Sequence, residues 1–89
     1  MSMTGSATIN NERGIHARPS SEVAKEALKF KSKITITYNG KTANAKDVLQ
    51  IIILELFRGT VVQLTTEGDD EKTAFEAIKT LLEKEYKFD

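Results

Sequence analysis

The sequence contains no cysteine, no tryptophan, a single histidine and a single proline. The lack of cysteine excludes a disulfide framework, thiolate chemistry and a cysteine-based metal site. One histidine also excludes a histidine-rich metal site, so we expect no metal and no cofactor. The 13 basic and 13 acidic residues give a formal net charge of zero. Nucleic-acid-binding proteins usually carry a clear basic excess, so we expect no nucleic-acid partner.

Long apolar runs are also missing. No run approaches the ~20 residues of a membrane-spanning helix, and the first residues lack the basic and apolar regions of a signal peptide. We therefore expect no membrane insertion and a cytoplasmic location. A chain of 89 residues is expected to form one domain over residues 1–89, of which residues 1–6 are the most able to fray. Such a domain has a thin core, so its chemistry should lie at the surface.

Apolar periodicity and turn signals predict seven elements in the order β-α-β-β-α-β-α. The predicted bounds are about 3–9, 17–30, 34–38, 41–44, 47–56, 61–66 and, after an acidic turn at 68–71, a last helix to about 86. Asn39-Gly40 predicts a tight hairpin, because both turn positions need a positive φ. The hairpin and the alternating strands predict an α+β open-faced sandwich, with helices on one side of a four-stranded antiparallel sheet.

The segment 47–56 is ambiguous, because its β-branched residues also suit a buried strand. We favour a short helix, with Asp47 as its N-cap or first-turn acid and Gly59 as a stop signal. The expected inward side chains are Val48, Leu49, Ile52 and Ile53. The apolar circumference of this helix is too wide to be buried on one side, so some of Ile51, Leu54 and Phe57 should be exposed.

The only histidine lies at the junction between the first predicted strand and the first predicted helix. Neutral imidazole is a nucleophile near physiological pH and can carry a phosphoryl group as a labile phosphoramidate. The helix that begins near Ala17 directs its first unpaired N–H groups back toward His16. Arg18 adds a planar cation suited to phosphate oxygens. From the residues alone, a phosphate-bearing His16 and a functionless surface histidine are about equally favoured.

A wider set of residues carries a family resemblance. The hexapeptide Gly14-Ile15-His16-Ala17-Arg18-Pro19 resembles the active-site signature of HPr, the histidine-containing phosphocarrier of the bacterial phosphoenolpyruvate:sugar phosphotransferase system. The segments 38–46, 58–60 and 67–71 resemble the central hairpin and the turns that flank the last strand of that family. The similarity covers essentially residues 7–85.

The resemblance implies a sheet of strand order 1-4-2-3 covered by three helices. It also implies that His16 accepts a phosphoryl group at Nδ1 from phosphorylated enzyme I and passes it to a IIA-type component. The matching arginine is Arg18, which would stabilise the phosphate together with the backbone N–H of Ala17. A chain of this kind carries a transient phosphohistidine and is not a stand-alone catalyst.

The chain departs from the family pattern in its second helix. Many relatives have a regulatory serine where this chain has Asp47, which cannot accept that phosphorylation. Asp47 either mimics the charged state or simply caps the helix, and we favour the cap. Exposed apolar residues usually mark partner surfaces, so the predicted docking residues are Leu49, Ile51, Leu54 and Phe57. For Leu49 a position in the core is about equally favoured. The branched residues here also resemble the nitrogen-type branch of the family.

Two other classes of function remain to be compared with the carrier. A regulatory binding protein would act through the face that begins at Asp47 and would bind transcriptional or kinase regulators. A small hydrolase of the acylphosphatase type needs a phosphate-cradling loop with an arginine and a positioned asparagine, and Arg13-Gly14 is the only hint of one. Ser20 and Ser21 are expected either to donate a hydroxyl near the phosphate or, more commonly, to be solvated.

Overall fold

The computed structural model describes residues 2–10, 17–54, 56–57 and 59–83, without the side chains of residues 17–19. Within these ranges the elements follow one another in the predicted order. Their bounds are β1 (Ser2–Thr8), α1 (Ala17–Ala27), β2 (Lys33–Tyr38), β3 (Lys41–Asn44), α2 (Val48–Ile53), β4 (Val61–Glu67) and α3 (Glu71–Glu83).

The four strands form one antiparallel sheet of order β1-β4-β2-β3. This confirms both the predicted sheet and the strand order implied by the family resemblance. Residues 2–6, which were expected to be the most able to fray, belong to β1, where Ser2 lies opposite Glu67 of β4. One face of the sheet is covered by the helices, and the other carries small polar side chains such as Thr4 and Gln63, which are exposed.

Helix α1 buries one stripe of side chains at the expected spacing, namely Ser20, Val23, Ala24 and Ala27. The regular helix ends three residues before the predicted end at Phe30. The N–H groups of Lys29 and Phe30 donate to carbonyls three residues back, which tightens the last turn. Leu28, which directly follows the last helical residue, is exposed.

The hairpin between β2 and β3 is confirmed. Asn39 has φ 52° and Gly40 has φ 78°, as a two-residue turn with positive φ at both positions requires. The register places Tyr38 opposite Lys41 and Thr35 opposite Asn44. The hairpin therefore delivers the chain to the start of α2 at a fixed position.

The helical interpretation of segment 47–56 is confirmed, but the predicted orientation of α2 is partly wrong. Ile51 and Leu54 are 0% and 4% exposed, whereas Leu49 and Ile53 are 70% and 64% exposed. Val48 and Ile52 are half-buried. An apolar run offers no polar face from which the helix phase could be deduced. Ile51 and Leu54 face the core because of the way α2 packs beside α1 and β3.

Candidate functional site

The sequence predicts the phosphate site at the start of α1. Regular helix begins at Ala17, so the first backbone N–H groups of α1 have no partner within the helix. His16 is joined directly to this end, but it lies outside the described residues, as does the side chain of Arg18. The helix start is confirmed, whereas the roles of His16, Arg18 and the Ala17 N–H stay predictions.

Ser20 lies in the first turns of the same helix and is fully buried. Its hydroxyl oxygen has no hydrogen-bond partner among the residues that the structure describes. Ser21, the next residue, is exposed. The solvated environment expected for these serines therefore holds for Ser21 and is wrong for Ser20. The cause is helical phase, because Ser20 lies on the side of α1 that also presents Val23 and Ala24.

Residues 8–10, at the end of β1, are held by contacts to two other parts of the chain. Ile9 is buried; its N–H donates to the Thr60 carbonyl at 2.8 Å, and its carbonyl accepts from the Gly59 N–H at 2.7 Å. The residues on either side of Ile9 contact Glu83 instead. The Thr8 N–H donates to Glu83 Oε2 at 3.0 Å, and Asn10 Nδ2 donates to the Glu83 carbonyl at 2.9 Å.

Asp47 is the N-cap of α2, which confirms the favoured structural role. Its side chain accepts from the backbone N–H groups of Leu49 at 3.0 Å and Gln50 at 3.4 Å. Gln50 Nε2 donates to the second carboxylate oxygen at 3.2 Å, and Gln50 Oε1 accepts from the Asn44 N–H at 2.8 Å. The carboxylate is thus engaged in holding α2 against the end of β3.

Asp70 binds the connection that follows the opposite end of α1. The Asp70 carboxylate accepts from the Ser32 hydroxyl and from the backbone N–H groups of Lys31 and Ser32, each N–H at 2.9 Å. The Ser32 hydroxyl, followed by the Lys31 N–H, lowers the pKa of Asp70 below its ordinary value. This carboxylate joins the α1–β2 connection to the start of α3.

Metal-binding groups and membrane-spanning helices were searched for in the part of the chain that the structure describes. There, no group of three or more histidine, cysteine, aspartate or glutamate side chains is arranged to hold a metal ion. No helix in the same ranges is long and apolar enough to cross a membrane.

A family model described as the PTS HPr component phosphorylation site matches residues 3–84. The chain belongs to the PTS HPr family. It is 43% identical over 74 residues to the phosphocarrier protein HPr of Buchnera aphidicola subsp. Acyrthosiphon pisum, covering 83% of this chain and 87% of that protein. These matches bear out the resemblance drawn from the hexapeptide and the hairpin.

Solved HPr-family structures share the fold as well. The phosphocarrier protein HPr from Bacillus anthracis superposes with a TM-score of 0.88 at 32% identity, covering 92% of this chain and 98% of that chain. Crh, described as a catabolite repression protein of Bacillus subtilis, gives a TM-score of 0.74 at 31% identity, covering 83% and 85% of the two chains. The similarity therefore extends to a member with a regulatory description.

The sequence predicted a docking face on and after the second helix. The structure shows which of the predicted residues are exposed there. Ile51 and Leu54 belong to the core and are not available for docking. Phe57 is exposed by 62%, as a docking residue requires, and Leu49 is exposed too, which favours its docking role over the inward orientation. The prediction missed Ile53, which lies one turn after Leu49 and is exposed by 64%. The spacing of four between Leu49 and Ile53 was the available signal.

Proposed function

We propose that this chain is a phosphocarrier of the phosphotransferase system that accepts a phosphoryl group on His16 and donates it to an acceptor protein. The observation that carries this proposal is the HPr-family match over residues 3–84, which includes the hexapeptide around His16. The start of α1 at Ala17 supports it, since unpaired N–H groups follow His16 directly in the chain. A cytoplasmic location is part of the proposal.

The transfer requires a neutral imidazole. One ring nitrogen, Nδ1 in the family resemblance, supplies the lone pair for a new P–N bond, while the bond between phosphorus and the donor atom breaks. The imidazole can then pass the group on by the reverse exchange, because a phosphoramidate is labile. No net hydrolysis occurs, so the protein is a carrier that turns over only with a donor and an acceptor. The proposed donor is phosphorylated enzyme I, and the proposed acceptor is a IIA-type component.

Two groups are proposed to steady the phosphoryl oxygens. The Ala17 N–H belongs to the positive end of α1, where backbone donors favour an anion. The Arg18 guanidinium adds charge and several donors in one plane. Both groups act on the phosphoryl oxygens only by hydrogen bonding and charge, and the P–N bond to His16 stays labile.

Labelling with enzyme I and phosphoenolpyruvate tests the carrier. The wild-type chain should gain one acid-labile phosphate, and His16→Ala should gain none. Arg18→Ala should retain labelling but slow it by up to ~10²-fold, as expected for one positioned charge-stabilising group. Lys72→Ala, which removes an exposed cation from α3, is the control and should keep the wild-type rate. Labelling of His16→Ala would refute the carrier proposal.

The regulatory function is a second candidate, favoured by the similarity to Crh and by the exposed apolar residues of α2. In that case the chain would bind a transcriptional or kinase regulator through Leu49, Ile53 and Phe57. Asp47 would hold this face in one conformation permanently, since its carboxylate caps α2. A regulator whose binding is unchanged in His16→Ala, together with no labelling of the wild-type chain, would favour this function.

A further inference from the structure

Strand β1 forms one edge of the sheet, and every second residue in it turns its backbone groups away from the sheet. The Ile9 N–H donates to the Thr60 carbonyl at the start of β4, which fixes the alternation along this antiparallel ladder. The odd-numbered residues of β1 therefore pair with β4, whereas the N–H and carbonyl groups of Ser2, Thr4 and Ser6 point outward. Among the described residues, these outward backbone groups have no hydrogen-bond partner.

The outward alternation ends at Thr8, whose N–H donates to Glu83 Oε2 at 3.0 Å. The part of the edge that no described residue covers is therefore the segment 2–6, which contains no charged residue and no proline. Charges, prolines and short strands are the usual devices that prevent pairing at a sheet edge. The opposite edge strand, β3, has two of them, because it is four residues long and begins with Lys41.

We propose that the edge segment 2–6 of β1 pairs antiparallel with the same segment of a second copy of the chain. In the register that places Thr4 opposite Thr4 of the second copy, Ser2 lies opposite Ser6, so the contact is symmetric about a two-fold axis. Each of the three resulting residue pairs exchanges two hydrogen bonds. The two sheets then form one continuous sheet. This inference does not depend on the proposed carrier function.

The side chains of the segment suit a second copy. On the outer face, the hydroxyl side chains of Ser2, Thr4 and Ser6 come opposite one another, and such pairs stabilise antiparallel strands. On the inner face, Met3 of one copy lies opposite Gly5 of the other. A Cβ at Gly5 would lie 2.7 Å from Phe75 Cζ, so this position has room only for a glycine. The half-buried Met3 side chain can cover the gap that the glycine leaves.

Electrostatics also favour this occupant. The seven residues of β1 carry no charge, so two copies meet without like-charge repulsion along the pairing segment. In the proposed register the two Thr8 residues are eight positions apart along the strand direction, about 27 Å at ~3.4 Å per residue. The Glu83 carboxylates beside them are thus separated by more than the Debye length of ~8 Å. Because so short a ladder buries a small area, we expect a reversible dimer with a dissociation constant of about 0.1–1 mM.

Sedimentation equilibrium of the full chain between about 0.02 and 2 mM, which spans the expected dissociation constant, measures the self-association. Thr4→Pro removes the central outward N–H, which β4 does not use, and should raise the dissociation constant at least ~10-fold. Thr4→Lys and Thr4→Glu each place like charges opposite one another and should do the same, whereas an equimolar mixture of these two variants should regain dimerisation. Gln63→Lys, which adds a charge to an exposed position of β4, is the matched control and should dimerise as the wild type does.

Amide resonances give a second measurement. With rising concentration, the N–H groups of Thr4 and Ser6 should shift and exchange more slowly with solvent, whereas those of Met3 and Gly5, which pair with β4, should change little. A wild-type chain that stays monomeric at the highest concentration would overturn the proposal, as would a dimer that persists in both Thr4→Pro and Thr4→Lys. A mixture of Thr4→Lys and Thr4→Glu that fails to dimerise would overturn the register. A dimer that dissociates only over hours after dilution would indicate exchange of a chain segment and would also overturn edge pairing. If Thr4→Pro fails to fold, the two charged variants and their mixture decide.

Discussion

At the scale of single residues, Ser20 places a polar hydroxyl on the buried side of α1. Its hydroxyl is buried and finds no hydrogen-bond partner within the described part of the chain, and an unsatisfied buried polar group costs about 1–3 kcal/mol. Alanine fits the same position without that cost. The neighbouring Ser21 is exposed, so water satisfies its hydroxyl.

We expect Ser20→Ala to raise the free energy of unfolding by about 1 kcal/mol, as the buried unsatisfied hydroxyl is removed. Alanine is also the better helix former, which adds up to ~0.5 kcal/mol in either serine position. Ser21→Ala is the matched control, because it gains only this helix term. Urea unfolding of the two variants measures the difference. A Ser20→Ala variant that is less stable than Ser21→Ala would show that the hydroxyl has a stabilising partner.

At the scale of elements, α2 has a capped N-terminus and exposed apolar side chains on its outer face. Asp47 and Gln50 fix its first turn against β3, and none of its six residues is charged. Leu49 and Ile53 lie on the same side one turn apart, and both are exposed. This pair suits an apolar region of a protein partner, so we expect α2 to contribute to partner binding in either proposed function.

We expect the substitutions Leu49→Ser and Ile53→Ser each to raise KM for phosphorylated enzyme I by roughly tenfold, which corresponds to ~1.4 kcal/mol of lost binding energy. The free energy of unfolding should change by less than ~0.5 kcal/mol, because both side chains are exposed. Val61→Ser is the control, since Val61 is an exposed apolar residue of β4 and not of α2. Equal KM values for all three variants and the wild type would exclude α2 as the docking face for this donor.

The limits of sequence prediction also lie at this scale. Elements with a clear alternation or a clear amphipathic stripe, such as β2 and α3, were predicted with the correct type. Helix α2 was predicted as a helix with the wrong phase, because consecutive apolar residues suit several rotations about the axis. The contacts of Glu83 were not predicted, since they join residues that are 75 and 73 positions apart and depend on the packed end of α3. The start of α1 at Ala17, beside which the phosphate site is predicted, required only a local pattern.

At the scale of the whole molecule, the free energy of unfolding should depend on pH through Asp70. This carboxylate ties the connection between α1 and β2 to the start of α3, so its protonation loosens a contact between distant parts of the chain. Hydrogen bonds from the Ser32 hydroxyl and the Lys31 N–H lower its pKa in the folded state. A lowered folded pKa means that the carboxylate contributes stability above its unfolded pKa of about 3.9. That contribution is lost as the pH falls below this value and through the folded pKa.

We therefore expect Asp70→Asn to be less stable than wild type at neutral pH and the difference to shrink as the pH falls below about 4, where the unfolded carboxyl takes up its proton. Urea unfolding between neutral pH and acid measures this difference for each protein. Asp69→Asn is the matched control, because Asp69 is an exposed neighbour in the same turn, and its difference from wild type should vary less with pH. A constant difference for Asp70→Asn across the acid range would mean that the ionised carboxylate does not stabilise the fold. The Ser32 contact would then be equally strong with a neutral group, so acid unfolding of the chain would have to begin at other carboxylates.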